Sequence, residues 1–246
     1  MTYCVGIKVN AGLVFASDSR TNAGVDHIST YSKMHVFEQP GERVFVVLSA
    51  GNLATSQAVM NVLRREFNDP AGPGLRQARD LFEAADYLGS LSYRIQQEHA
   101  EALARSGVSA EATFIIGGEI AGSSHEVCLV YAQGNYISAT PETPYLQIGE
   151  TKYGKPILDR IIAPDTTLDD AARCALVSLD STIRANVSVG PPLDLAICEA
   201  GALRVTRRLT LAADSPLYQG IQQGWNEGLK RAFLDLPRFD WELGGG

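Results

Sequence analysis

The segment TYCVGIKVNAGLVFASDSR, from Thr2 to Arg20, sets the frame for the rest of the chain. Val5, Ile7 and Val9 alternate with Cys4, Gly6 and Lys8, the period of two that a strand presents. Asn10-Ala11-Gly12 interrupts the run as a turn, and Leu13-Val14-Phe15-Ala16 forms the returning arm of a hairpin. Strand sequence therefore starts immediately after Thr2. A small second residue permits excision of Met1. Thr2 would then carry a hydroxyl nucleophile and a free α-amine on one residue. Such an amine has a reference pKa of roughly 7.7–8.0 and can serve as a base near neutral pH without a histidine. By itself a Met-Thr start fits an ordinary processed terminus equally well.

Beyond the hairpin the periodicity changes in blocks. A polar stretch runs from Ser17 to Ser32. Apolar runs from Met34 to Phe37 and from Val44 to Leu48 follow, joined by the turn Gln39-Pro40-Gly41-Glu42. After Gly51, Leu53, Ser56, Val59, Met60, Leu63 and Phe67 recur at helical spacing. The breaker Asp69-Pro70-Ala71-Gly72-Pro73-Gly74 ends that helix, and a longer one is expected from about Ala78 to Arg105. Strands are expected at Thr113–Ile116, Val127–Tyr131 and Tyr136–Ser138. Pro156 suits the first turn of a short helix, and Thr167 followed by Asp170 starts another. Leu193–Ile197 and Leu203–Leu209 close the strands. A tail from about Ser215 to Gly246 holds Trp225 and Trp241 and ends in three glycines. Strands in blocks, not in strict alternation with helices, disfavour a doubly wound parallel sheet. The expectation is an α+β fold, a four-layer αββα sandwich in one domain spanning 1–246, with a C-terminal extension at about 215–246.

Composition narrows the function. The 246 residues are 45% hydrophobic and 20% charged, close to the globular average. No apolar run approaches the roughly 20 residues that span a bilayer. The net charge of −7, with no basic block, argues against nucleic acid and anionic membrane as partners. Cys4, Cys128, Cys174 and Cys198 form no CxxC pair and sit in apolar stretches; His27, His35, His99 and His125 form no HExxH pattern. Neither GxGxxG, GxxxxGK[ST] nor GxSxG occurs. No metal or cofactor is expected. The start has no charged region followed by an apolar one, so the cytoplasm is the expected location.

Four elements in order carry a resemblance. They are Thr2 with Val5-Gly6-Ile7, then Phe15-Ala16-Ser17-Asp18-Ser19-Arg20, then Ser32-Lys33-Met34, then Leu48-Ser49-Ala50-Gly51. Together they resemble the β-subunits of proteasomes, which are N-terminal nucleophile hydrolases. The spacing from Thr2 to Asp18 is the family's; that from Asp18 to Lys33 is one residue shorter. The resemblance implies that Thr2 is the nucleophile, that Lys33 supplies positive potential beside it, and that Asp18 holds Lys33. It implies that the Gly51 N–H is an oxyanion donor, and that Ser188, with Asn186 near it, supports the Thr2 amine. Two positions depart from the pattern. Ala185 stands where the family has an aspartate three residues before Ser188, and Gly149-Glu150-Thr151 replaces the Gly-Ser-Gly segment. On residue type alone, Asp18 and Lys33 also fit a surface ion pair, Gly51 a plain turn, Arg20 a structural brace, and Asn186 and Ser188 a helix cap. Glu150 and Lys152 fit a solvated or subunit-facing loop.

Within that superfamily, Gln147 to Asp159 and Asn186 to Asp194, the absence of a propeptide before Thr2, and the extended tail are similar to Anbu, the bacterial ancestral-β-subunit group. That likeness implies a large homo-oligomeric ring or helical assembly, a peptide or protein substrate cleaved weakly, and ATP-grasp-type and transglutaminase-like proteins as partners. Other uses of the same architecture are an N-terminal threonine amidase or acyl transferase on small peptides, and a non-catalytic ring-forming scaffold. An α-type scaffold subunit would add a helical extension before the first strand.

Overall fold

Alternation along the first hairpin decides which way each residue faces. The computed structural model describes residues 2–22 and 28–243; Met1, His27 and the three closing glycines lie outside them. Strands β1 (Tyr3–Val9) and β2 (Gly12–Asp18) pair antiparallel, as the period of two requires. A small hairpin of β3 (Arg20–Asn22) and β4 (Ile28–Thr30) occupies the polar stretch. It was not expected, because residues so polar carry no alternating apolar signal. Then come β5 (Met34–Gln39) and β6 (Arg43–Gly51), followed by helices α1 (Leu53–Asn68) and α2 (Leu81–Arg105). Asp80 caps α2 by accepting the Glu83 N–H at 2.9 Å, so this helix starts at Leu81, three residues later than the expected boundary at about Ala78.

Four strands follow: β7 (Ala112–Ile120), β8 (Glu126–Val130), β9 (Tyr136–Ser138) and β10 (Tyr145–Gly149). Helices α3 (Lys155–Ile161) and α4 (Leu168–Ala185), the latter capped by Thr167, lead to β11 (Leu193–Glu199) and β12 (Arg207–Leu211). The last strand is not Leu203–Leu209. Leu203 has φ +51°, which no strand residue adopts, and pairing resumes only at Arg207. Helices α5 (Pro216–Leu234) and α6 (Asp240–Leu243) form the tail.

Two five-stranded antiparallel sheets result, with orders β10-β1-β2-β11-β12 and β5-β6-β7-β8-β9. Three apolar cores separate four layers. Tyr3, Val5, Ile7, Val14 and Ala16 face α3 and α4, together with Leu158, Ala175 and Leu179. Leu13 and Phe15, of opposite parity, meet Val44, Val46, Leu48 and Ile115 between the sheets. Phe45, Val47, Phe114 and Ile116 face α1 and α2 through Val59, Leu63 and Leu88. The order helix, sheet, sheet, helix is the αββα sandwich expected from the blocks. The first half of α5 docks on α4, with Tyr218 buried and Ile221 packed beside it. Its second half does not: Phe233 is 72% exposed and Trp241 beyond it 74%. No described helix is long and apolar enough to cross a membrane.

Candidate active site

Thr2 immediately precedes β1 and is pinned by backbone. Its carbonyl accepts the Glu150 N–H at 2.7 Å. Gly149, at φ +84°, allows this approach; a Cβ there would stand 2.0 Å from the same carbonyl oxygen. The next residue carries three further ties. The Tyr3 N–H donates to Asp18 Oδ1 at 3.1 Å, and its buried hydroxyl donates to Ser178 Oγ of α4 at 3.0 Å and accepts from Gln147 Nε2 at 2.7 Å. Burial pushes the Tyr3 phenol well above its ordinary range, so it stays a neutral link between the neighbouring strand β10 and helix α4.

Asp18 closes β2, and Lys33 lies one residue before β5. The register of the two sheets brings them together: Lys33 Nζ donates to Asp18 Oδ1 at 2.6 Å and to the Arg20 carbonyl at 2.7 Å. Asp18 is 0% exposed and Lys33 5%, so the pair is buried, not the surface pair that residue types alone allowed. Its other oxygen accepts the Gly190 N–H at 3.2 Å. Burial raises the Asp18 carboxyl, while the Lys33 ammonium and the N–H groups of Tyr3 and Gly190 pull it back. Arg20 braces this corner, donating from Nη1 to the Val187 carbonyl at 2.8 Å.

Gly51 ends β6 at φ +105°, where a Cβ would meet the Glu111 carbonyl oxygen at 2.4 Å. Asn52, next to it, caps α1 by accepting the Thr55 N–H at 3.1 Å. The N-terminal end of α1, where the partial positive charge of a helix lies, therefore opens on the same place. A cleft of about 300 Å³ gathers Thr2, Lys33 and Gly51, with Thr21, Ser49 and Ser56 among its other walls.

Asn186 and Ser188 do not line that cleft. Asn186 is the C-cap of α4, and its Oδ1 accepts both the Ser188 hydroxyl at 2.6 Å and the Ser188 N–H at 3.1 Å. The Asn186 amide donates onward to Glu150 Oε2 at 3.3 Å. Asn186 thus caps the helix, Ser188 holds the Asn186 side chain, and the contact continues to Thr2 through Glu150, whose N–H holds the Thr2 carbonyl. Glu150 is 9% exposed, which excludes the solvated alternative of the solvated or subunit-facing loop for it; Lys152 is exposed. Tyr3, Gln147 and Glu150 are the contributors that sequence reasoning passed over. Tyr3 could have been found as the one hydroxyl in the otherwise aliphatic row Tyr3, Val5, Ile7, Val9. Among the described residues, no three His, Cys, Asp or Glu side chains gather to hold a metal.

Two antiparallel sheets between helix pairs, with a threonine at the start of a central strand beside a buried lysine–aspartate pair, define the N-terminal nucleophile hydrolase type of fold. Comparison with known proteins narrows this. The model of the "Proteasome subunit" family matches residues 2–198. Among solved structures, Anbu (ancestral beta-subunit) from Yersinia bercovieri is similar at 46% identity and a TM-score of 0.90, covering 97% of this chain and 99% of that one. The Helical Assembly of the Anbu Complex from Pseudomonas aeruginosa matches at 44% identity and a TM-score of 0.91, over 96% of this chain and 98% of that one. Anbu from Hyphomicrobium sp. strain MC1 matches at 43% identity and a TM-score of 0.85, over 97% and 99% of the two chains. Among curated proteins none matches. The chain belongs to the proteasome subunit family, in its Anbu group.

Proposed function

We propose that this chain is an N-terminal threonine hydrolase of peptide bonds that works, after loss of Met1, inside a homo-oligomer of its own copies. The observation that carries this is the buried Lys33–Asp18 pair, joined at 2.6 Å, in a cleft that Thr2 and Gly51 also line. Burying a lysine costs stability that an ion pair often repays only in part, so a pair held this way beside a hydroxyl is better accounted for by chemistry than by folding. In the proposed step Thr2 Oγ adds to the substrate carbonyl carbon. The Thr2 α-amine, directly or through a water, takes the hydroxyl proton and delivers it to the departing amine as the C–N bond breaks. Lys33 lowers the cost of alkoxide at Thr2. The Gly51 N–H faces the carbonyl oxygen as it becomes an oxyanion; losing one such donor typically costs about 2.7–4 kcal/mol of barrier stabilisation. Water then hydrolyses the Thr2 ester and restores the enzyme. Asn186, Ser188 and Glu150 position the Thr2 backbone.

Self-assembly is supported by the exposed apolar end of the tail, where Leu229, Phe233, Leu234 and Trp241 face solvent and Phe239 stacks on Trp241 at 4.3 Å. A relative at 44% identity forms a helical assembly. The test of catalysis joins intact mass with an electrophilic probe. Protein lacking Met1 should gain one probe mass on Thr2 and turn over peptides, and Thr2→Ala should do neither while keeping its fold. Full turnover by protein that retains Met1, or by Thr2→Ala, overturns the assignment.

A further inference from the structure

A second hollow, of about 310 Å³, opens off the Thr2 cleft, and Lys33, Ser49, Leu53 and Ser56 line both. Its outer wall is Tyr31, His35, Gln57, Asn61 and Arg64. Leu53, Gln57, Asn61 and Arg64 follow one another along a single face of α1 at helical spacing. The chain passes from Lys33, which lines both hollows, into β5, whose second residue, His35, lines only this one. Arg64 Nη2 stands 2.7 Å from His35 Nδ1. A guanidinium can only donate, so Nδ1 is the acceptor and the imidazole is neutral, with its proton on Nε2. Burial, with Arg64 and Arg208 nearby, holds the His35 pKa down to about 4, in agreement with that tautomer. Arg64 therefore spends one donor on a neutral ring, and no carboxylate among the described residues pairs with it. Asp194, the acidic group whose charge acts on His35, is already held by the hydroxyls of Ser32 at 3.0 Å and Thr210 at 2.7 Å.

Building on the hydrolase assignment, under which this hollow faces the side chain of the substrate residue whose carbonyl Thr2 attacks, we infer that Arg64 makes the site selective for an acidic side chain. A carbonyl placed between Thr2 and Gly51 leaves its own residue's side chain directed past Lys33 and Ser49 into the hollow. At the far wall Arg64 keeps guanidinium N–H groups beyond the one directed at His35, and these can bind a carboxylate in a fork. A lysine or arginine substrate would meet an unpaired cation, and a leucine would leave Arg64, Gln57 and Asn61 without new partners.

The test uses the assembled, processed protein and four acetyl-tripeptide epoxyketones that differ only in the last residue: Glu, Gln, Leu or Lys. Adduct formation on Thr2 is followed by intact mass. A hydrogen bond to a charged group favours the Glu probe over Gln by about tenfold or more. Arg64→Gln should lower the Glu-to-Gln rate ratio to about one, and Arg64→Glu should turn the preference toward Lys. Labelling of Thr2 with Leu or Lys ahead of Glu overturns the acidic selectivity and leaves the hydrolase assignment standing. No labelling by any probe overturns the hydrolase assignment. The hollow is then read separately, from binding of an acetylated peptide ending in Glu or in Gln to Thr2→Ala by calorimetry. Equal affinity for the two peptides there overturns the role of Arg64, and a preference for Glu that Arg64→Gln removes upholds it.

Discussion

Replacing Lys33 by Met removes the ammonium and leaves a carboxylate with no access to water. In Lys33→Met, Asp18 keeps only the N–H groups of Tyr3 at 3.1 Å and Gly190 at 3.2 Å. Removing one member of a buried ion pair typically costs about 3–5 kcal/mol, because the other charge stays behind uncompensated. The cost depends on pH in a definite direction. Burial already raises the Asp18 carboxyl, and without Lys33 its largest opposing influence is gone, so it rises further. An acid whose folded pKa lies above its unfolded value of about 3.9 binds more protons when folded. Stability of the variant relative to wild type is therefore level while Asp18 is protonated in both folded proteins, and falls by about 1.4 kcal/mol per pH unit from the wild-type folded pKa, itself raised, up to the higher one of the variant. The assay is urea unfolding from pH 4 to 8 at one fixed chain concentration, for wild type, Lys33→Met, Asp18→Asn and the double variant. The double-mutant cycle should return a coupling of about 2 kcal/mol or more at pH 7.5. A coupling below about 0.5 kcal/mol, with no pH dependence, would place the pair in the class of exposed ion pairs and refute the electrostatic role given to Lys33.

Gly51→Ala should lower stability by about 1–3 kcal/mol, since φ +105° and a Cβ 2.4 Å from the Glu111 carbonyl oxygen force the strand end to move; thermal unfolding reads this. His35 is held down to about 4, against about 6.5 in an unfolded chain. The folded state thus prefers the neutral ring, and the stability this gives is present above pH 6.5 and lost as pH falls toward 4. His35→Gln should flatten the unfolding free energy across that window, which denaturant titrations at pH 4, 5, 6 and 7 measure. Changing Phe233 and Trp241 to Ser should reduce the assembled mass in light scattering without lowering the unfolding midpoint of the single chain, because both are exposed in it.

The alternation of Val5, Ile7 and Val9 and the return through Leu13 to Ala16 disclosed the first hairpin, and the spacing from Leu53 to Phe67 disclosed α1 almost to the residue. These are local properties: a period of two or of 3.6 is written in neighbours, and the sandwich follows from the order of the blocks. The positions of Thr2, Asp18, Lys33 and Gly51 were legible only as a pattern of spaced motifs. Nothing local distinguishes Asp18 and Lys33 from a surface pair. Their burial arises where the end of β2 meets the start of β5, across two sheets. The same holds for Glu150, which its sequence neighbours mark as loop and which the β1–β10 register carries against Thr2 and Asn186. It holds as well for Arg64, one of several charged residues along α1 until His35 on a strand 29 positions earlier takes one of its donors. Leu203 failed as a strand for a backbone reason, a positive φ that the turn after β11 imposes and that side-chain pattern does not record. Periodicity reports which face of an element is apolar. Which polar groups are then trapped together between those faces depends on register and on the stacking of layers, and both are set by contacts between residues far apart in the chain.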